Sequence, residues 1–207
     1  KASRRQRQMC IRDSYGSAAA QSLASLVGMA GTLLICAPTA VKLSQKFGKK
    51  ELATAGAIVG AVSYLLCFFL RPANPFVYVA FAAVATVSMG YFNTVVWAMI
   101  TDVIDDTEVR TGVREDGTVY SVYSFARKLG QAISSGLIGG LLTMIGYSEA
   151  TAFDPAVTGK IFNLACLAPF AGFVALALIL MFLYPLNKTR VEQNIATLAA
   201  RREGKEN

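Results

Sequence analysis

Tyr120, Ser124, Lys128, Gln131 and Ser135 follow one another at steps of four, four, three and four residues. Those steps keep a phenol, two hydroxyls, an ammonium and an amide on one face of an α-helix. The segment around them is otherwise apolar, and almost no charge follows Lys128 until residue 145. If it spans a membrane, Lys128 lies about 13 Å inside it at 1.5 Å per residue. An ammonium at that depth costs about 3 kcal/mol or more, so it is normally kept to face a water-filled cavity or a carboxylate. The competing explanation is a lysine that snorkels to the headgroups. The four polar companions favour a polar-lined pathway, because a lipid-facing helix does not collect such a stripe.

Two further clusters could do chemistry. Asn93 and Trp97 are four apart on the preceding apolar segment. An amide and an indole suit a ligand with hydroxyls to hydrogen-bond and an apolar ring face to stack, as a sugar has. The same pair also serves as a helix-packing amide and an interfacial aromatic. Next come Asp102, Asp105, Asp106, Glu108, Glu115 and Asp116 against Arg110 and Arg114. Asp102 and Asp105 are three apart, so both are expected to face Arg110 or Arg114. The chain has no histidine and no CxxC pair. Metal sites and histidine-based catalysis are therefore not expected, and the protein is not expected to be an enzyme. Cys36, Cys67 and Cys166 read as small apolar filler inside the spans.

The elements that must position these residues are membrane helices. The chain is 54% hydrophobic and 16% charged. Its apolar runs, 17–41, 52–70, 76–100, 119–145 and 161–185, each approach or exceed the roughly 20 residues needed to cross the hydrocarbon. The fold expected is all-α, a polytopic membrane protein. Lys42, Lys46, Lys49, Lys50, Arg110, Arg114, Lys188, Arg190, Arg201, Arg202 and Lys205 fall on one side, against Arg71 and Lys160 on the other. The positive-inside rule places the first group and the carboxyl terminus in the cytoplasm. Of the net charge of +7, residues 1–14 supply +4 (Lys1, Arg4, Arg5, Arg7 and Arg12 against Asp13) and the remainder is this orienting excess, so no nucleic acid is expected as a partner. Gly56 with Gly60, and Gly136 with Gly140, are small-residue pairs that let membrane helices approach closely.

Both ends depart from this pattern. Arg4 to Ser14 resembles a translated sequencing adapter, so residues 1–14 are expected not to be native and the chain to be a fragment of a longer protein. Residues 15–186 hold the five spans. In the tail, 187–207, Val191, Ile195 and Leu198 recur at helical spacing, which predicts a short amphipathic helix on the inner face.

The stretch 97–130, together with the basic turn Lys46-Phe-Gly48-Lys49-Lys50, resembles the glycoside–pentoside–hexuronide:cation symporter family. That family lies within the major facilitator superfamily and is typified by melibiose permease. The matching elements are Asp102-Val-Ile-Asp105, Gly112-Val-Arg114-Glu-Asp-Gly117, Tyr120-Ser and Arg127-Lys128-Leu-Gly130, with Ile145-Gly146-Tyr147 closing the segment. The resemblance implies the last five helices of a twelve-helix major facilitator fold. It implies sugar import coupled to Na⁺, H⁺ or Li⁺ by alternating access, with no other cofactor. It also implies a bacterial inner (plasma) membrane location, with membrane lipid, a sugar and the missing amino-terminal half as partners. By the same likeness Lys128 sits near the cation and sugar region. Asp102, Asp105 and Arg114, with Arg110 beside them, belong to a cytoplasmic gate. Asp106 departs from the family, standing where many members carry an aromatic residue. The alternatives are a facilitator for another solute, such as a drug or lysolipid, and a non-transporting membrane scaffold.

Overall fold

The computed structural model describes residues 26, 29–72, 74–148 and 155–206. Residues 1–14 and the first part of the first expected span lie outside them. The described residues form helices joined by short turns, with no strand among them. A π-helical turn, Thr32–Cys36, runs into α1 (Ala37–Phe47). Pro38 accounts for the wide turn, since its ring clashes with the carbonyl four residues back and loosens the register there. Gly48, at φ 105°, then reverses the chain. A side chain at that position would be strained and would meet the Glu51 carboxylate.

The following helix, α2 (Lys49–Leu70), leads to α3 (Pro75–Thr111), whose start is capped by the Asn74 side chain accepting from the Phe76 N–H at 2.9 Å. At 37 residues, α3 is about 55 Å long and overruns the roughly 30 Å of hydrocarbon. Its last turns therefore project beyond the apolar layer. Gly112, at φ 77°, ends it. Next come α4 (Asp116–Met144) and α5 (Pro155–Leu178), which continues through a π-helical turn, Ile179–Leu183. After Pro185 the chain forms α6 (Lys188–Glu206).

Packing centres on α2, which lies against both α3 and α5. Ala40, Leu52, Ala53, Val95, Met99 and Leu180 form the core at the charged end. Cys67, Tyr78 and Cys166 form the core at the other, where both thiols serve as the small buried filler expected. Small residues set the helix spacing. A Cβ on Gly56 would come within 3.0 Å of the Ser88 carbonyl, and one on Gly60 within 2.6 Å of the Phe173 ring. Ser63 spans the α2–α3 contact by donating to the Phe81 carbonyl at 2.8 Å. The second glycine pair differs: around Gly136 and Gly140 nothing lies within 4 Å. No residue of α4 is buried, because α4 touches α3 chiefly near its own start. Gly60→Val is thus expected to cost about 1–3 kcal/mol by overpacking, read as a fall of several degrees in the unfolding midpoint in detergent. Gly136→Val should leave that midpoint in place. Equal midpoints for the two variants would contradict the close α2–α5 approach.

Three described helices are long and apolar enough to cross a membrane, over Lys49–Leu70, Phe76–Thr111 and Val157–Leu183. They contain three of the five expected spans. The fourth expected span is helical, and the 29 residues of α4 are long enough to cross. It falls short in apolarity because it carries the polar stripe.

Candidate functional site

All five stripe residues lie on α4 and all are exposed. The Ser135 hydroxyl donates to the Gln131 carbonyl at 2.9 Å, so it is engaged with its own helix. Among the described residues no carboxylate lies within ion-pair distance of Lys128. No stripe residue lines the groove between α4 and α5. The apolar groove between α4 and α5, about 620 Å³, is bounded instead by Ile133, Leu137, Leu141, Ile161 and Ala165. The polar face of α4 therefore points away from α5.

The Asn93–Trp97 face meets the stripe at one end. The Trp97 ring lies 6.3 Å from Tyr120 and 5.3 Å, edge-on, from Tyr123. Spacing alone did not single out Tyr123, although its position three after Tyr120 puts it on the adjoining helix face. The indole remains about half exposed. Because α3 and α4 run in opposite directions away from this contact, one turn back along α3 reaches Asn93, and one turn on along α4 reaches Ser124. Asn93 is exposed as well. An indole and a phenol therefore meet at this contact, with the Asn93 amide and the Ser124 hydroxyl one turn from it on their own helices and Lys128 a further turn along α4. These are groups that bind a polyhydroxylated ring; none is paired as a nucleophile with a base.

Four carboxylates at the end of α3, Asp102, Asp105, Asp106 and Glu108, point three ways. Asp102, 5% exposed, accepts from Lys49 at 2.6 Å, and Lys49 also reaches the Ala98 carbonyl at 3.4 Å. Asp105 and Glu108 both accept from the Arg114 Nη1 at 2.9 Å, while Arg114 Nε donates to Asp116 at 2.9 Å. The Glu108, Asp105 and Asp116 carboxylates together raise the already high proton affinity of the Arg114 guanidinium. It is a fixed cation in this structure. The expectation that Asp102 and Asp105 share an arginine is therefore corrected: a step of three leaves them about 60° apart around the helix. That is enough to turn Asp102 towards α2 and Asp105 towards the loop. Arg110 is exposed and makes no ion pair among the described residues. It stands outside the cluster.

Asp106 has a different role from the repulsive extra charge its sequence position suggests. It is buried, and its Oδ1 accepts from Arg190 Nε at 3.1 Å and Asn194 Nδ2 at 2.9 Å. Both donors belong to α6. The tail helix expected from the sequence is present, but it rests on α3. Leu198 is buried and Val191 half-buried, whereas Ile195 stays exposed. Spacing located the helix; the four-residue step from Arg190 to Asn194 was the signal for its polar inner face.

The charged groups at this end differ in strength. The Arg114 side chain is 37% exposed, and exposed ion pairs contribute only about 0–1 kcal/mol each. Such a cluster holds collectively and can open. The Lys49–Asp102 pair, with its carboxylate buried, is the firmer tie. Among the described residues no group of three His, Cys, Asp or Glu is placed to hold a metal ion.

The chain is similar in sequence to known proteins. The profile of the family described as MFS/sugar transport protein matches residues 10–188, beginning within the basic amino-terminal segment. The proposed sulfoquinovose importer of Escherichia coli K12 is 36% identical over 160 residues, covering 77% of this chain and 33% of that protein. A glucuronide carrier protein homolog of the same organism is 32% identical over 167 residues, covering 81% and 36%. The uncharacterized symporter YjmB of Bacillus subtilis 168 is 34% identical over 158 residues, covering 76% and 34%. The chain spans about a third of the length of the curated relatives it matches. No solved structure matches it significantly.

Proposed function

We propose that this chain, which belongs to the MFS/sugar transport protein family, supplies one side of the substrate pathway of a sugar:cation symporter working by alternating access. The observation that carries the proposal is the stripe on α4. A helix of membrane-spanning length keeps an ammonium, a phenol, hydroxyls and an amide on one exposed face, with no acid beside Lys128 among the described residues. Relatives named for sulfoquinovose and for a glucuronide point to sugars, and in particular to sugars bearing an acidic group.

The roles follow from position. Asn93, Trp97, Tyr120 and Ser124 contact the sugar through hydrogen bonds and ring stacking. Lys128 is balanced by a carboxylate contributed from outside these residues, and binding of Na⁺, H⁺ or Li⁺ rearranges that pair. Asp105, Glu108 and Arg114 latch the cytoplasmic end, with Asp102 held by Lys49. The membrane is the bacterial inner membrane and the tail is cytoplasmic, in keeping with the basic residues at that end.

The test is uptake by the complete protein in liposomes. A glucuronide, a sulfonated sugar and a neutral glycoside are offered with an inward Na⁺ or H⁺ gradient. Accumulation above equilibrium that collapses with the matching ionophore is the expected result. Uptake that never exceeds equilibrium under either gradient would favour a facilitator, and failure to bind any sugar would favour another solute or a scaffold.

A further inference from the structure

We infer that Asp106 is a positioning residue: it straps the tail helix α6 onto the inner end of α3 and so sets how freely that end moves during transport. The inference rests on reading the end of α3 as the gate, but the strap is visible independently of that reading. Asp106 and Asn194 are both buried, and Arg190 and Asn194, one turn apart on α6, converge on one carboxylate oxygen. One turn further along α3, Arg201 donates to the Val109 carbonyl at 3.1 Å and the Glu108 carbonyl at 3.4 Å. Both carbonyls belong to the last turn of α3, where the Glu108 carbonyl also accepts from the Gly112 N–H at 2.9 Å. Arg202 lies 3.8 Å from the Glu108 carboxylate, which Arg114 also holds. At the other end of α6, Lys188 donates to the Lys46 carbonyl at 3.3 Å, tying the tail to α1 as well.

The strap and the latch thus share Glu108, and α3 connects both to the site. Trp97 lies nine residues before Asp106 on the same unbroken helix, about 13 Å away. A rigid rod transmits a tilt at one end to the other. While α6 is docked, the inner end of α3 is anchored to the tail and, through Lys188, to α1. When α6 is released, the tie to the tail is lost and the inner end of α3 is restrained by its packing against α2, the Lys49–Asp102 pair and the exposed Arg114 cluster. The expected consequence is a leakier gate with unchanged sugar recognition. Asp106 touches neither the stripe nor Trp97, so it acts through α3.

Two readouts on the full-length protein test this separately. Limited trypsin digestion reports docking, because Arg201 and Arg202 become cleavable when α6 lifts. Transport in liposomes reports gating. Asp106→Ala should raise tail cleavage about tenfold or more. It should also lower steady-state accumulation at least threefold by speeding efflux, with the sugar Kd within twofold of the parent. The double exchange Asp106→Arg with Arg190→Asp should restore both, and that rescue excludes a general folding defect. Released tail with unchanged efflux would overturn the positioning role while leaving the symport proposal intact. Unchanged cleavage in Asp106→Ala would overturn the strap itself. Absence of sugar uptake in the parent would remove the symport proposal, and the digestion would still decide the strap.

Discussion

If the proposed symport is right, Lys128→Ala in the full-length protein is expected to abolish cation-coupled accumulation while the protein still reaches the membrane. An ammonium inside a membrane helix is held there at a cost of about 3 kcal/mol or more. Removing one member of a buried pair costs about 3–5 kcal/mol, because the other charge is left uncompensated. At 1.4 kcal/mol per tenfold, coupled uptake should fall by roughly 10² or more. Downhill exchange of sugar should persist, because the sugar groups on α3 and at the start of α4 are intact, so counterflow separates lost coupling from lost binding. Lys128→Arg should recover little, since a planar guanidinium does not replace a compact ammonium. Ser135→Ala should be mild, because that hydroxyl donates to its own helix. Wild-type coupled uptake by Lys128→Ala would show a snorkelling lysine and would end the pathway assignment.

Arg114→Glu should have the second largest effect. It removes the cation shared by Asp105, Glu108 and Asp116 and adds a fourth negative charge to the group. Turnover is expected to fall at least tenfold with the sugar Kd changed less than threefold, because the latch lies beyond the aromatic contact at Trp97. Arg110→Glu is the matched control, four residues earlier, with no ion pair among the described residues. Its turnover should stay within about twofold of the parent. Equal losses in the two variants would mean that net charge, and not this pairing, controls the gate. Loss of sugar binding with turnover per bound sugar preserved would remove the latch altogether.

Much of this was legible in the residue order, because membrane helices are written locally. A run of apolar residues must satisfy its backbone within itself, so 52–70, 76–100 and 161–185 declared their helices without tertiary information. The stripe on α4 followed from the 3.6-residue period alone. The basic turn around Gly48 followed too, and Gly48 adopts a backbone angle that other residues rarely take. The family resemblance came through the same local strings, since the matching motifs are short and continuous.

What the sequence could not determine is which side chain meets which across helices. Asp102, Asp105 and Asp106 are near-identical in type and adjacent in order, yet each meets a different partner: Lys49 of α2, Arg114 of the loop, and Arg190 with Asn194 of α6. Around α3, Asp102 and Asp105 are about 60° apart and Asp105 and Asp106 about 100°, and only the packing of α2 and α6 fixes which neighbour occupies each sector. The two glycine pairs make the same point. Gly56 and Gly60 meet a neighbouring helix, whereas Gly136 and Gly140 meet nothing within 4 Å, although their spacing is identical. Periodicity reports the face a residue occupies on its own helix; the partner on that face is set by long-range packing, which no local pattern encodes.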